Sequence, residues 1–392
     1  MTNNYTNRHY YLAFSFFQKI GPANLKRLEK FFPDIRQAFF ASSSELERAG
    51  LKPSLAANFV IWRNSPAASI KTMLDILDKE KISFITWNDP EYPALLEETS
   101  SPPPVLYYRG WLVNAAKNNL AVVGSRKFSA YGEKAISELL PEIIKSDITI
   151  ISGLAIGIDT LAHRKTLEIK GRTWAILGSG LDSKNIYPPN NRRLAQEIIS
   201  SGGALLSEFP PGTPPCPQNF PQRNRIIAGL AQATLVIESK IKSGALITAN
   251  YALEENREIL AVPGNIFSEF SAGPNKLIKS GAKTITDPTD ILETYGLEKK
   301  PNSEAIMNGK YLRTHNETTE KLKAIQPSFS LNNQAEITIQ KLLKEASERA
   351  EKITVDEIVE KTKLDTSVIN STLSILELRG IAKNSESGYD LN

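Results

Sequence analysis

Apolar residues follow two rhythms along this chain. Short aliphatic or β-branched runs fall at 120–123, 148–152, 173–177, 204–207, 234–237 and 259–262. Between them lie longer stretches with helical spacing, such as 133–145 and 159–169. Uninterrupted apolar strands need cover on both faces, and intervening amphipathic helices supply it. Residues 119–292 therefore predict an α/β unit, an extended Rossmann-like and mainly parallel sheet. Right-handed crossovers put each strand-to-helix turn on one edge of that sheet.

The flanks read differently. Residues 1–80 predict a small helical domain of the SAM or helix-hairpin-helix type. Ile20-Gly21-Pro22 leads into one helix, and Gly50-Leu51-Lys52-Pro53-Ser54 starts a similar unit. Such hairpins hold DNA phosphates in some proteins and are plain scaffolds in others. The extended Rossmann domain is expected at 81–296. It opens with Asp89-Pro90-Glu91-Tyr92-Pro93 and Pro102-Pro103-Pro104, an extended segment pinned by prolines, followed by a strand-like stretch at 105–108. Residues 297–334 are polar and read as a flexible linker. From 335 to 392 a winged-helix domain is predicted. Thr354 and Glu357 form a capping box, Asp365 caps the next helix, and a small β-wing follows. The would-be recognition helix carries Ser367, Asn370, Ser371 and Ser374 and no arginine for a guanine edge.

Composition narrows the function. The single cysteine, Cys216, excludes an internal disulfide, and the scattered His9, His163 and His315 argue against a metal cluster. No apolar run reaches the roughly 18 residues of a membrane span, and the N-terminus has no signal-peptide pattern, so a cytoplasmic location is expected. The net charge of +4 is uneven. Residues 1–80 hold eleven basic and seven acidic side chains; residues 335–392 hold eight and eleven. A basic front with an acidic tail suits a polyanion bound by the front, and an ordinary solvated surface equally.

The turns after the strands carry the candidate chemistry. Gly124-Ser125-Arg126 follows the first run, but the dinucleotide fingerprint is absent because Arg126 stands where a second glycine would let backbone approach a pyrophosphate. Ser152-Gly153-Leu154-Ala155-Ile156-Gly157-Ile158-Asp159 follows the second, Gly178-Ser179-Gly180 the third, and Ser243-Gly244-Ala245 opens a later helix. A row of such turns favours an extended polyanion over one nucleotide, although each glycine could simply allow close helix packing. Lys184, Arg192, Arg193 and the run Phe220-Pro221-Gln222-Arg223-Asn224-Arg225 offer cations. With Pro221 at a helix start, both arginines would fall in the first turn and oppose the macrodipole unless an anion is bound. Phe220 could stack on a base; alternatively it is core and the arginines pair with carboxylates such as Glu208. Asp159 and His163 are four apart, without a nucleophile motif, and Asp159 serves equally as a helix cap.

Read in order, the motifs resemble the DNA-processing protein A (DprA/Smf) family. The resemblance rests on Asp89-Pro90-Glu91-Tyr92-Pro93, Pro103-Pro104-Val105-Leu106, Gly124-Ser125-Arg126, Ser152 to Asp159, Tyr187-Pro188, Phe220 to Leu230, Ser243 to Ala249 and Ala261-Val262-Pro263-Gly264. It implies a non-enzymatic homodimer without cofactor that binds single-stranded DNA regardless of sequence. Such a protein brings the RecA recombinase onto DNA taken up in natural transformation. By this reading Arg126, Arg223 and Arg225 contact phosphates, Gly124, Ser125, Gly153 and Gly244 donate backbone N–H groups, and Phe220 stacks. Leu154, Ala155, Lys184, Asn224 and Ser243 complete the DNA-binding set. Pro189 departs from the basic or polar residue expected there, with Lys184 and Arg192 as substitutes. The rival is a phosphoribohydrolase-like nucleotide enzyme of the same superfamily. Its P-G-G-x-G-T-x-x-E signature is missing, since Lys242-Ser243-Gly244-Ala245 occupies the corresponding stretch.

Overall fold

The computed structural model describes residues 5–112, 118–297, 333–349, 352–378, 381–385 and 388–391. The chain divides into two units, residues 1–300 and 301–392. Of the linker expected at 297–334, residues 298–332 lie outside the described residues, and Asn333 already begins a helix.

Nine strands form the sheet of the first unit: β1 (Ser83–Thr86), β2 (Val105–Gly110), β3 (Asn119–Val123), β4 (Thr149–Ser152), β5 (Thr173–Ile176), β6 (Ala204–Ser207), β7 (Ala233–Val236), β8 (Glu258–Ala261) and β9 (Lys283–Thr284). Their spatial order is β1-β2-β6-β5-β4-β3-β7-β8-β9. The six apolar runs become β3 to β8, which pair in parallel. Strands β3 to β7 are buried throughout, which is why they read as apolar runs rather than alternating patterns. At one margin β1 and β2 extend the sheet antiparallel. The strand-like stretch at 105–108 is the middle strand of that margin.

The sheet's two faces bury separate apolar clusters. One gathers Ile136, Leu140 and Ile143 of the helix Ala130–Lys145 against Leu120, Val122 and Leu235. The other runs without a break from Trp174 and Leu206 into Phe14, Phe39 and Phe59 of the helical front. The front comprises six helices between Asn7 and Glu80. Phe14 stacks on Phe59 with centroids 4.8 Å apart. Polar contacts fix it to the antiparallel margin as well. Arg8 binds the Phe84 carbonyl and Asp89, and Glu29 accepts from Tyr11 and from Trp87 Nε1 (2.9 Å). Tyr92 Oη donates to the Pro103 carbonyl (2.8 Å) and holds the proline-rich segment.

The second unit is described by itself. Helices Asn333–Glu348, Val355–Thr362 and Thr366–Leu378 precede a hairpin of Ala382–Ser385 with Gly388–Leu391. Ile339, Leu343, Ile358, Ile369 and Leu373 form its core. The capping box is present, with Thr354 N–H donating to Glu357 (2.8 Å) and Glu357 N–H to Thr354 Oγ1 (3.3 Å). Among the described residues no helix is long and apolar enough to cross a membrane.

Candidate nucleic-acid interface

Parallel pairing brings the carboxyl ends of β3, β4, β5, β7 and β8 to one edge, where the turns meet. After β3, a Cβ on Gly124 would stand 2.5 Å from Ile158 Cγ1, so this glycine admits the helix Ile158–Glu168. Ser125 N–H donates to the Glu238 carbonyl (2.7 Å), and the Ser125 carbonyl accepts from Ile158 N–H (3.1 Å). The turn is thereby fastened on both sides. Its Ser125 amide, expected to meet an anion, already has a partner within the fold. What projects from it is Arg126, exposed and without a hydrogen bond or ion pair among the described residues.

The turn after β4 departs further from expectation. Gly153 N–H (3.1 Å) and Ala155 N–H (3.3 Å) both donate to Asp159 Oδ2, so the chain's own carboxylate occupies the anion position of this turn. Beneath it, Arg223 is only 5% exposed; its Nη1 donates to the carbonyls of Gly153 (2.8 Å) and Ile176. Leu154 is buried at φ +58°, and its carbonyl accepts from Asn191 Nδ2 (2.9 Å). Burial pushes the Asp159 carboxyl up, against the pull of Arg223 and of the two amides. The Arg223 guanidinium is lowered by burial to about 10 and remains a cation at neutral pH; Asp159 opposes that shift and nearby Arg126 adds to it. Gly153 and Leu154 thus build the turn, while Arg223 braces it from below and, with Ala155, Asp159 and Asn224, also forms part of the cleft wall. A Cβ on Gly153 would meet Arg223 Nη2 at 2.7 Å and Asp159 Oδ2 at 2.8 Å. Gly153→Ala should therefore lower stability by about 1–3 kcal/mol, readable as a drop in thermal midpoint.

The helix after β6 corrects a second expectation. It spans Asn219–Gly229, so Pro221 is its third residue and Arg223 and Arg225 lie in the second turn. Proline is tolerated there because first-turn N–H groups have no intrahelical partner. Two residues on a helix are about 200° apart, so the two arginines point to opposite sides. Arg225 pairs with Glu208, whose side chain is 9% exposed, away from the cleft residues. The alternative in which an arginine pairs with Glu208 describes Arg225. Asn224 Nδ2 donates to the Gly244 carbonyl (3.2 Å) and couples this helix to Gly244–Glu254.

What remains open at the edge is a cleft of about 650 Å³. Arg126, Tyr187, Phe220, Lys240, Lys242 and Ser243 line it. Half-buried Phe220 lies against Tyr187, which is 45% exposed, with ring centroids 5.6 Å apart. Ser243 caps its helix by accepting from Ala245 N–H (3.2 Å). Lys242 is exposed, without an ion pair among the described residues; Lys240 pairs with Glu269 and sits 5.7 Å from the Phe270 ring centroid. Sequence reasoning missed Lys240 and Lys242 as cleft cations. Their signal was a cation–apolar–cation step between a strand end and a helix-capping serine. Lys184 is exposed but does not line the cleft; its carbonyl accepts from Arg192 Nη2 (2.6 Å), and Arg193 pairs with Glu197. Arg192, the other substitute expected for Pro189, likewise lies outside the cleft lining. His163 is buried against Thr173 Oγ1 (2.7 Å) and lowered by burial to about 3, so it is neutral and forms no pair with Asp159.

Fold and edge together define a Rossmann-type α/β protein whose carboxyl-edge cleft, lined by cations and aromatic rings, suits a polyanion. Residues 83–296 match the profile of the family described as DNA recombination-mediator protein A, and the chain belongs to that family. It is similar to Protein Smf of Synechocystis sp., with 36% identity over 386 residues and 95% of either chain covered. It is also 41% identical over 216 residues to the DNA processing protein DprA of Bacillus subtilis, covering 55% of this chain and 72% of that one. The X-ray structure of DNA processing protein A from Streptococcus pneumoniae superposes with a TM-score of 0.63 at 31% identity, covering 74% of this chain and 98% of that chain.

Proposed function

We propose that the chain binds single-stranded DNA in the carboxyl-edge cleft and acts as a non-enzymatic recombination mediator in the cytoplasm. The observation that carries this reading is Arg126, held out on a fastened turn without a hydrogen-bond or ion-pair partner among the described residues, between an aromatic pair and two lysines. Arg126 and Lys242 meet phosphates, Lys240 joins them by exchanging Glu269 for a phosphate, and Phe220 with Tyr187 stacks on bases. Gly244 N–H, without a partner among the described residues at the start of its helix, adds a backbone donor. In a recombination-mediator family, a protein that holds single strands has RecA as its recipient, and a homodimer presents two such clefts. We read the second unit as a winged helix for protein contact, given its acidic balance and the polar short side chains of its recognition helix.

Asp159 and His163 do not form the carboxylate–imidazole pair that an enzyme reading would use. His163 is buried and bonded to Thr173, and Asp159 is engaged by two amides and offset by Arg223. The direct test compares a single-stranded and a duplex oligonucleotide of equal length at one salt concentration, with the intact chain and with residues 335–392 deleted. The single strand should bind about tenfold tighter or more in both forms, because only unpaired bases offer their faces to Phe220 and Tyr187. Equal or tighter duplex binding, or release of base from a nucleoside monophosphate, would contradict the reading.

A further inference from the structure

Phe267 and Ile266 are 90% and 80% exposed, the most exposed large apolar side chains among the described residues. They tip the loop after β8, and neither the fold nor the cleft uses them. The loop is not slack. Phe267 N–H donates to Asn265 Oδ1 (2.9 Å) and Ser268 N–H to the Asn265 carbonyl (3.0 Å). Gly264 exchanges two hydrogen bonds with the Asn275 side chain (3.2 and 2.9 Å). The Phe270 carbonyl accepts from Ser239 N–H (2.7 Å), which ties the loop to the turn after β7. Tyr131 Oη donates to the Pro263 carbonyl (2.6 Å) and ties it to the helix that follows Arg126. An ordered turn that holds a phenylalanine into solvent presents a ring for something to lie against.

Its position says what. Phe220 stands at the turn after β5, where a Cβ on Gly178 would approach its Cδ1 to 3.0 Å. Phe267 stands at the turn after β8. The order β5-β4-β3-β7-β8 separates those turns by four strand spacings, about 19 Å. Arg126 after β3 and Lys240 after β7 fall between them, and Lys240 lies over the Phe270 ring of the same loop. The edge therefore reads ring, cation, cation, ring. Half-exposed Tyr131, bonded to the Pro263 carbonyl, lies beside the same loop.

We propose that Phe267, flanked by Ile266, is a second base-stacking station for the single strand as it leaves the cleft past Lys240. The proposal rests on the single-strand reading of the cleft and extends it to a longer footprint, within the range of about 4–16 nucleotides seen for single-strand grooves. The cations between the two rings decide for a nucleic-acid strand over a second copy of this chain.

Fluorescence anisotropy with oligothymidylates of about six and about fifteen nucleotides tests it. Wild type should gain affinity with length. Phe267→Ala should lose roughly tenfold on the long oligonucleotide and nothing on the short one. Phe267→Trp should show quenching, beyond that of the native tryptophans, only with the long one. Arg126→Ala serves as the control for the cleft and should weaken both. If Arg126→Ala weakens both while Phe267→Ala matches wild type on both, the second station is wrong and the cleft reading stands. If Arg126→Ala weakens neither, the cleft reading itself fails. A Phe267→Ala change in oligomeric mass by sedimentation, without a length-specific loss, would make the tip a contact between copies and overturn the proposal.

Discussion

Arg223→Ala should lower folding stability by about 3–5 kcal/mol, the usual consequence of removing one partner from a buried charged network. The guanidinium is buried between the Gly153 and Ile176 carbonyls, and its charge offsets that of Asp159. Without it, two carbonyls and a buried carboxylate are left uncompensated at once. The thermal midpoint should fall by roughly 10 °C. Lysine cannot replace both donors, because Arg223 uses Nη1 for the two carbonyls and Nε for Asn224 Oδ1 (3.2 Å), and one ammonium does not reach both places. Adding Asp159→Asn to Arg223→Ala should restore part of the loss, since no lone charge then remains buried. The measurement is thermal or denaturant unfolding of the two single variants and the double variant. A stable, well-folded Arg223→Ala protein with a purely DNA-binding defect would contradict the bracing role.

Arg126→Ala should behave in the opposite way. Its side chain is exposed and has no partner among the described residues, so the thermal midpoint should stay within about 2 °C of wild type. Single-strand affinity at low salt should fall about 10- to 100-fold, the equivalent of one charge-assisted phosphate contact of about 1.5–3 kcal/mol. Both residues are arginines on the same edge, and both sit in motifs that a sequence reader would assign to phosphate. Structure separates them by burial, and the two variants separate them by what they damage.

That contrast marks how far the sequence could be read. The central strands were legible because burial on both faces leaves an apolar run that needs no partner to be recognised. Strand β1 and the two-residue β9 were not, because so short an edge strand has no periodicity of its own. Arg126 was legible since a cation directly after a strand and a glycine has nowhere to go but the turn. Arg223 and Arg225 were not, because helix phase decides their directions and Pro221 misplaced the helix start by two residues. The partners that fix them are distant along the chain: Gly153 is 70 residues from Arg223, and Glu208 is 17 from Arg225. Asp159 likewise read as a helix cap, while its carboxylate fills the preceding turn. Lys240 lay in view, but its contact with Phe270 depends on a loop that only the fold brings alongside.

On the proposed reading this edge neutralises the phosphates of a single strand, with Arg126 supplying one of the contacts. A salt titration of oligothymidylate affinity for wild type and Arg126→Ala tests it most directly. Log affinity should fall linearly with log salt, by about 0.7 for each phosphate neutralised, and the variant's slope should be shallower by about 0.7. An affinity independent of salt, or a variant with wild-type slope and affinity, would contradict the account.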